Sequence, residues 1–540
     1  MSPGHLGLLL TAVLGVVPAQ AAPAIVVRTT EGVISGTTTE DGAVRIFKGI
    51  PYARPPVGQL RWRAPEPPGS WADTRTATEY GPNCYQSAPR TGDSVATVLF
   101  FTPAAPMSED CLYLNIWSPG APDPHLSPVM VWIPGGGFHG GSAAGPLYVG
   151  EQLARQGIVL VSLNYRVSRL GFLSSPELSA EAPYHSSGNY GLLDQVAALR
   201  WIQHNIRRFG GDPGKVTLFG QSAGAYSVNY LLASTLARGL FARAIGESGG
   251  AFAPAVQGSL LGKTLQPLAQ AQNSGTRLAQ ALGVSTLTQL RATSAANIMA
   301  VPQADRYEGQ WPILDGYVLE KSVAEVFAAG HQIDVPTLSG STADEGTIFP
   351  SVHTLPDFLS FARVHFGPRA GEFLTLYPAH DGESARNAAE TAFRDYLAGW
   401  EDWSWANAQS KTGRAPVYYY YFTRVPPAPG AEDFVENRGS RLGAFHGAEL
   451  PYVFGTLYPT TWAWTPQDQD FSRLLRRYWV NFARSGNPNG PGLPAWPAFS
   501  TRAPRAMTFG ETAAAAAAPN QPLYRFWDVY SNSWNGSNTP

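Results

Sequence analysis

The stretch Lys215–Tyr230, KVTLFGQSAGAYSVNY, constrains this chain more than any other. A short β-branched and apolar run, Val216–Phe219, leads into Gly220-Gln221-Ser222-Ala223-Gly224, and a helix-compatible segment follows. A serine inside G-x-S-x-G, between a strand and a helix, sits on a sharp turn that lifts its hydroxyl above a sheet. Such a turn strains the serine backbone, so its flanks must be small. Gly220 and Gly224 allow strand and helix to approach closely. Helix N–H groups behind the serine favour a developing negative charge. The pattern by itself is weak, and the strand-turn-helix setting gives it meaning.

The 540-residue chain is long enough for a large core, and no linker, repeat or charge block divides it. We read residues 1–21 as a signal peptide, with the apolar run Leu6–Val17 and the A-x-A site Ala19-Gln20-Ala21, and residues 22–540 as one domain. No Lys or Arg precedes the apolar run, a departure from the usual leader. This predicts a secreted or periplasmic protein with no stable membrane insertion. The net charge of −2 gives no footprint for nucleic acid. Cys84 and Cys111 are the only cysteines, so an oxidising compartment predicts that they pair, and they cannot form a zinc site by themselves.

Near-continuous apolar runs at Val129–Ile133 and Ile158–Leu163 read as strands buried on both faces. Glu109–Trp117 alternates like a strand, and Val335–Gly340 and Val417–Phe422 are further strand candidates. Leu193–Phe209 and Phe471–Ser485 carry helical spacing. This alternation predicts the α/β class, a mostly parallel sheet covered on both faces. The alanine run Ala513–Ala518 reads as a surface loop, and Ser531–Pro540 as a polar tail.

Pro134-Gly135-Gly136-Gly137-Phe138-His139 follows the first buried strand. Consecutive glycines free the backbone to aim N–H groups at one point, as an oxyanion hole requires, each donor lowering the barrier by about 3–4 kcal/mol. We assign the donors to Gly136 and Gly137, with the N–H of Ala223 as a third. In this architecture the order is serine, acid, histidine. Among the histidines after Ser222, His446 is preferred, in a glycine-flanked loop beyond the strand Val417–Phe422. The acid should follow Val335–Gly340, where Asp344 and Glu345 stand side by side. Spacing does not choose between them.

Two long segments resemble the signatures of the type-B carboxylesterases, the α/β-hydrolase family that includes the cholinesterases. Phe209–Gly224 (FGGDPGKVTLFGQSAG) matches the serine signature, and Glu109–Pro119 (EDCLYLNIWSP) the second. Further matches run from Phe47–Ala53 to His446-Gly447-Ala448-Glu449. The resemblance implies an α/β-hydrolase fold with a large central sheet and long insertions forming a gorge. It implies a triad of Ser222, Glu345 and His446, oxyanion donors Gly136, Gly137 and Ala223, and a Cys84–Cys111 disulfide over the gorge mouth. It further implies hydrolysis of small-molecule carboxylic esters through an acyl-enzyme, with no metal or cofactor. The chain departs from cholinesterases at Gln221, where they carry glutamate, and at Phe101, where they carry a tryptophan that binds quaternary ammonium. A phenyl ring is the weaker cation partner, so choline esters are poor candidates as substrates. Phe101, Phe138 and Gln221 are the candidate gorge residues, and Tyr452–Trp464 a candidate wall. Alternatives within the fold are a lipase, with the Cys-bounded loop as lid, and a non-catalytic adhesion member, which typically lacks the serine or histidine retained here. Oligomeric state is not encoded in any pattern we find.

Overall fold

The structure, a computed structural model, describes residues 25–87, 106–120, 125–253, 265–303, 308–349, 352, 354–427, 442–457 and 462–534. The expected leader and Phe101 lie outside the described residues.

A 13-stranded sheet organises the chain. Strands β1 (Ile25–Arg28), β2 (Val33–Thr38) and β3 (Val44–Pro51) form an antiparallel entry, and β4 (Arg75–Thr76) attaches to β2. The two short strands β5 (Asn83–Cys84) and β6 (Met107–Ser108) pair with each other apart from it. The remainder are β7 (Tyr113–Pro119), β8 (Ser127–Ile133), β9 (Val159–Leu163), β10 (Gly211–Gln221), β11 (Arg243–Glu247), β12 (Thr337–Thr342), β13 (Val417–Phe422), β14 (Arg505–Phe509) and β15 (Ala513–Ala517). Their order is β1-β2-β3-β7-β9-β8-β10-β11-β12-β13-β14-β15. From β9 to β14 every neighbouring pair is parallel. β7 and β15 close this block with antiparallel pairs. This is the doubly covered α/β sheet that the apolar runs predict.

The alternation of side chains along β8 explains why Val129–Ile133 is apolar throughout. Val129, Val131 and Ile133 enter one core cluster, and Met130 and Trp132 enter a second. Successive residues of a strand face opposite sides, so a strand covered on both faces has no polar position left. The first cluster takes Val196, Leu199 and Ile202 from the helix Tyr190–Asn205, and Val228 and Leu231 from Ala223–Ala233. The second takes Phe471, Leu475, Trp479 and Phe482 from Pro466–Ser485.

Two expectations are corrected. The alanine run is an edge strand, β15, paired with β14 over Arg505↔Ala517 to Phe509↔Ala513. Alanine has little strand preference, and here the backbone ladder offered by β14 decides. Residues 531–534, expected in the polar tail, belong to the helix Gln521–Trp534, and the rest of that expectation lies outside the described residues. Cys84 and Cys111 are joined by a disulfide and are both buried. No helix among the described residues is long and apolar enough to cross a membrane.

Candidate active site

The parallel topology gathers the predicted residues at the C-terminal ends of adjacent strands. Open α/β sheets place their ligand sites at these ends. β10 delivers Gln221 and Ser222, its neighbour β8 delivers the glycine loop, β12 delivers Asp344 and Glu345, and His446 lies beyond β13.

Ser222 is the N-cap of the helix Ala223–Ala233 and takes φ 56°, ψ −125°. That conformation is strained for a non-glycine residue. Two backbone hydrogen bonds hold it. The Ser222 N–H donates to the Glu247 carbonyl, and the Tyr226 N–H to the Ser222 carbonyl, both at 2.9 Å. The close approach falls at Gly224, where a Cβ would collide with the Ile133 carbonyl at the end of β8. The half-buried serine sits at the start of the helix, where unsatisfied N–H groups and the dipole favour an anion.

The glycine loop is packed against the elbow. A Cβ on Gly135 would stand 2.7 Å from the Gln221 carbonyl oxygen and 3.2 Å from Ser222 Cβ. Gly136 takes φ +117°, which only glycine adopts readily. None of the N–H groups of Gly136, Gly137 and Ala223 donates to an acceptor among the described residues. The loop is pinned by Gln86, whose Nε2 donates to the Gly141 carbonyl at 3.0 Å while its Oε1 accepts from the Gly141 N–H at 2.9 Å. Gln86 follows Cys84 by two residues, so the disulfide and the glycine loop are parts of one framework.

The structure separates the two acid candidates. Asp344 ties the loop that carries His446 to β12: its N–H donates to the Ala444 carbonyl at 3.0 Å, and its Oδ2 accepts from the Ala444 N–H at 2.8 Å. Glu345 reaches the imidazole, with a short hydrogen bond between its Oε2 and His446 Nδ1. Its Oε1 accepts from the Thr342 N–H at 2.7 Å. Burial alone would raise the Glu345 carboxyl. The His446 charge and these hydrogen bonds outweigh burial, and the group lies below its ordinary value.

The other ring nitrogen of His446 meets the Gln221 side chain, Nε2 to Nε2 at 3.0 Å. An amide NH2 can only donate. In the neutral imidazole, Nδ1–H donates to the Glu345 carboxylate and Nε2 is left to accept, the tautomer a general base needs. Among the described residues no hydrogen bond joins Ser222 Oγ to the imidazole in this resting arrangement. Gln221 Oε1 is buried without a hydrogen-bond partner.

Of the candidate gorge residues, Gln221 is at the site and Phe138 is fully buried beside it. Phe138 lies in an aromatic cluster with Trp311, Phe172 and Tyr230, ring centroids 4.9, 5.3 and 6.4 Å away. Sequence reasoning missed a group of buried acids near Glu345: Glu247, Asp402 and Glu449. Glu247 Oε1 accepts from the Trp479 indole at 2.6 Å, Asp402 Oδ2 from the Gly249 N–H at 3.2 Å, and Glu449 Oε1 from the Tyr420 hydroxyl at 3.5 Å. Burial, reinforced for Asp402 and Glu449 by neighbouring carboxylates, raises all three. One signal was available, an acid closing the apolar strand Arg243–Glu247. Among the described residues no cluster of three or more His, Cys, Asp or Glu side chains is arranged to hold a metal ion.

Comparison with known proteins shows the family and the fold. A model of the carboxylesterase family matches residues 23–364 and 368–527. The chain is 38% identical over 505 residues to the fumonisin B1 esterase of Sphingopyxis macrogoltabida, covering 90% of this chain and 87% of that protein. It is 36% identical over 495 residues to the para-nitrobenzyl esterase of Bacillus subtilis (strain 168), covering 88% and 92%. Among solved structures, a PNB esterase superposes with a TM-score of 0.76 at 33% identity, covering 93% of this chain and 99% of that one.

Proposed function

Since this chain belongs to the carboxylesterase family and is a carboxylic ester hydrolase, we propose that Ser222, His446 and Glu345 carry out the hydrolysis through an acyl-enzyme. The observation that supports this reading is the join between His446 Nδ1 and the buried Glu345 carboxylate, with Ser222 strained on the adjacent elbow.

Ester binding draws the Ser222 hydroxyl to His446 Nε2, and the Gln221 amide turns away. Oγ then attacks the carbonyl carbon and its proton passes to Nε2. The carbonyl oxygen becomes an oxyanion, received by the N–H groups of Gly136, Gly137 and Ala223. Glu345 holds the imidazole and stabilises its cation. Collapse of the tetrahedral species breaks the bond to the alcohol, which leaves with the proton from Nε2. Water attacks the acyl-serine by the same route, its proton passing to Nε2 and then to Oγ as the carboxylic acid departs. Catalytic hydrogen bonds often tighten only with substrate bound, so the resting Gln221 contact is compatible with this sequence.

The substrates are carboxylic esters of small molecules, and p-nitrophenyl esters serve as probes. The leader reading puts the enzyme outside the cytoplasm, and the Cys84–Cys111 bond supports it, since disulfides persist in oxidising compartments. The test is Ser222→Ala: turnover of a p-nitrophenyl ester should fall by on the order of 10⁵–10⁶-fold with the fold intact, and labelling by a fluorophosphonate should vanish. Near-wild-type turnover in that variant would refute the triad assignment.

A further inference from the structure

Far along the chain from the elbow, the helix Pro466–Ser485 carries a residue its buried face does not account for. Phe471, Leu475, Tyr478 and Trp479 enter the core, as helical spacing requires. Arg476 lies on the same buried side and is 7% exposed. The other buried arginines among the described residues each reach an acceptor. Arg166 forks onto Asp194, Arg61 onto Glu109, and Arg291 reaches Glu181. Arg169 donates to the carbonyls of Ile298 and Val301. Among the described residues Arg476 has no carboxylate and no carbonyl, and its Nε is shielded from solvent without an acceptor. Burial, with Arg473 nearby, pushes its guanidinium down to about 10.

A buried guanidinium without an anion is costly, because the lost hydration is not replaced. The surroundings are nonetheless shaped to receive this one. Gly455, at φ +71°, lies directly against the guanidinium, and a Cβ there would overlap Nη1. The guanidinium lines a cavity of about 530 Å³ together with Gln152, Gly455, Trp462, Trp464 and Arg473. Arg473 is already engaged by Asp470. The two indoles, which share this lining, lie 5.4 Å apart, tilted 36°.

We propose that this cavity binds a small organic anion with a flat body, an aromatic carboxylate. Its carboxylate answers Arg476 and its ring lies against Trp462 and Trp464. Guanidinium and carboxylate match as a two-pronged, charge-assisted pair. The site is separate from Ser222 and does not depend on the triad assignment.

Calorimetric titration of benzoate into the wild-type chain and into Arg476→Met tests it. The wild type should bind benzoate, and affinity should fall at least about tenfold in R476M, as expected for loss of a charge-assisted hydrogen bond. In thermal melts benzoate should raise the Tm of the wild type and leave that of R476M unmoved. Without benzoate R476M should melt no lower than the wild type, since it loses an unanswered buried charge. Should R476M fail to fold, Trp464→Ala provides the second variant, expected to weaken benzoate binding. Equal benzoate affinity in wild type and R476M, or in wild type and W464A, would overturn the proposal. Inorganic sulfate held as tightly as benzoate would overturn its aromatic part.

Discussion

Glu345 and Glu247 invite comparison because so much about them is shared. They stand at the C-terminal ends of neighbouring parallel strands, and both are 0% exposed. Burial raises the carboxyl of each, yet the outcomes are opposite. Glu345 ends below its ordinary value, while Glu247 is pushed up to about 8. The difference lies in what meets the oxygens. Both oxygens of Glu345 are answered, Oε1 by the Thr342 N–H and Oε2 by the imidazole. Glu247 has one answered oxygen, held by the Trp479 indole, and its Oε2 is buried without a partner. A carboxyl in a protein interior is charged or neutral according to its donors and the nearest cation, and depth alone does not decide. The arrangement also suits the proposed chemistry. A charged Glu345 can stabilise a cation on His446, and the acids behind it are pushed toward their neutral forms, which disfavours a second negative charge nearby.

The strongest way to break the comparison is to make Glu345 resemble its neighbour. Glu345→Gln keeps the size and removes the charge. We expect kcat for a p-nitrophenyl ester to fall on the order of 10³–10⁴-fold while KM changes little, as for the loss of a group that orients the base. Single-turnover kinetics on a folded variant would check this. A loss under tenfold would mean that Glu345 is no more functional than Glu247. The wild-type site has an acid limit as well. The lowered Glu345 carboxyl contributes stability that is fully present above its unfolded value of 4.5 and is lost as pH falls through its folded value.

Much of this site is legible in the sequence, for identifiable reasons. Ser222 and its glycines are contiguous, and the close approach of Gly224 to Ile133 is written in residue size. The strands announce themselves because burial on two faces removes every polar position, as in Val129–Ile133. The choice between Asp344 and Glu345 is different. Adjacent acids have identical local signals, and only the return of the chain at Ala444–His446 gives one the backbone and the other the imidazole. The family resemblance named Glu345 without that physical reason. Gln221 and Gln86 depend on contacts across 225 and 55 residues, beyond the reach of any periodicity. The alanine run failed for a related reason: its pairing partner, not its composition, made it a strand.

A smaller effect is expected when the one donor to Glu247 is removed. Trp479→Phe keeps an aromatic ring among Tyr420, Trp496 and Phe509 and deletes the indole N–H. An unanswered buried acceptor costs about 1–3 kcal/mol, which denaturant unfolding would register as a lower midpoint at an unchanged slope. Esterase turnover should be retained, because the Glu345–His446 join is untouched. Loss of activity with stability intact would place Glu247 inside the catalytic machinery and end the contrast.

The finest test leaves activity alone and reads protons. The native state binds more protons at Glu247 than the unfolded chain does between 4.5 and about 8, so this group lowers stability progressively as pH rises through that window. Glu247→Gln cannot titrate. The Tm of E247Q relative to wild type should therefore climb across this window and level off above it. The raised carboxyl of Glu449 should move down toward its ordinary value, since the Glu247 charge that raises it has gone. A Tm difference that stays flat across the window would show that Glu247 carries its charge throughout. In that case the single donor Trp479 would be doing for Glu247 what an imidazole and a backbone N–H together do for Glu345.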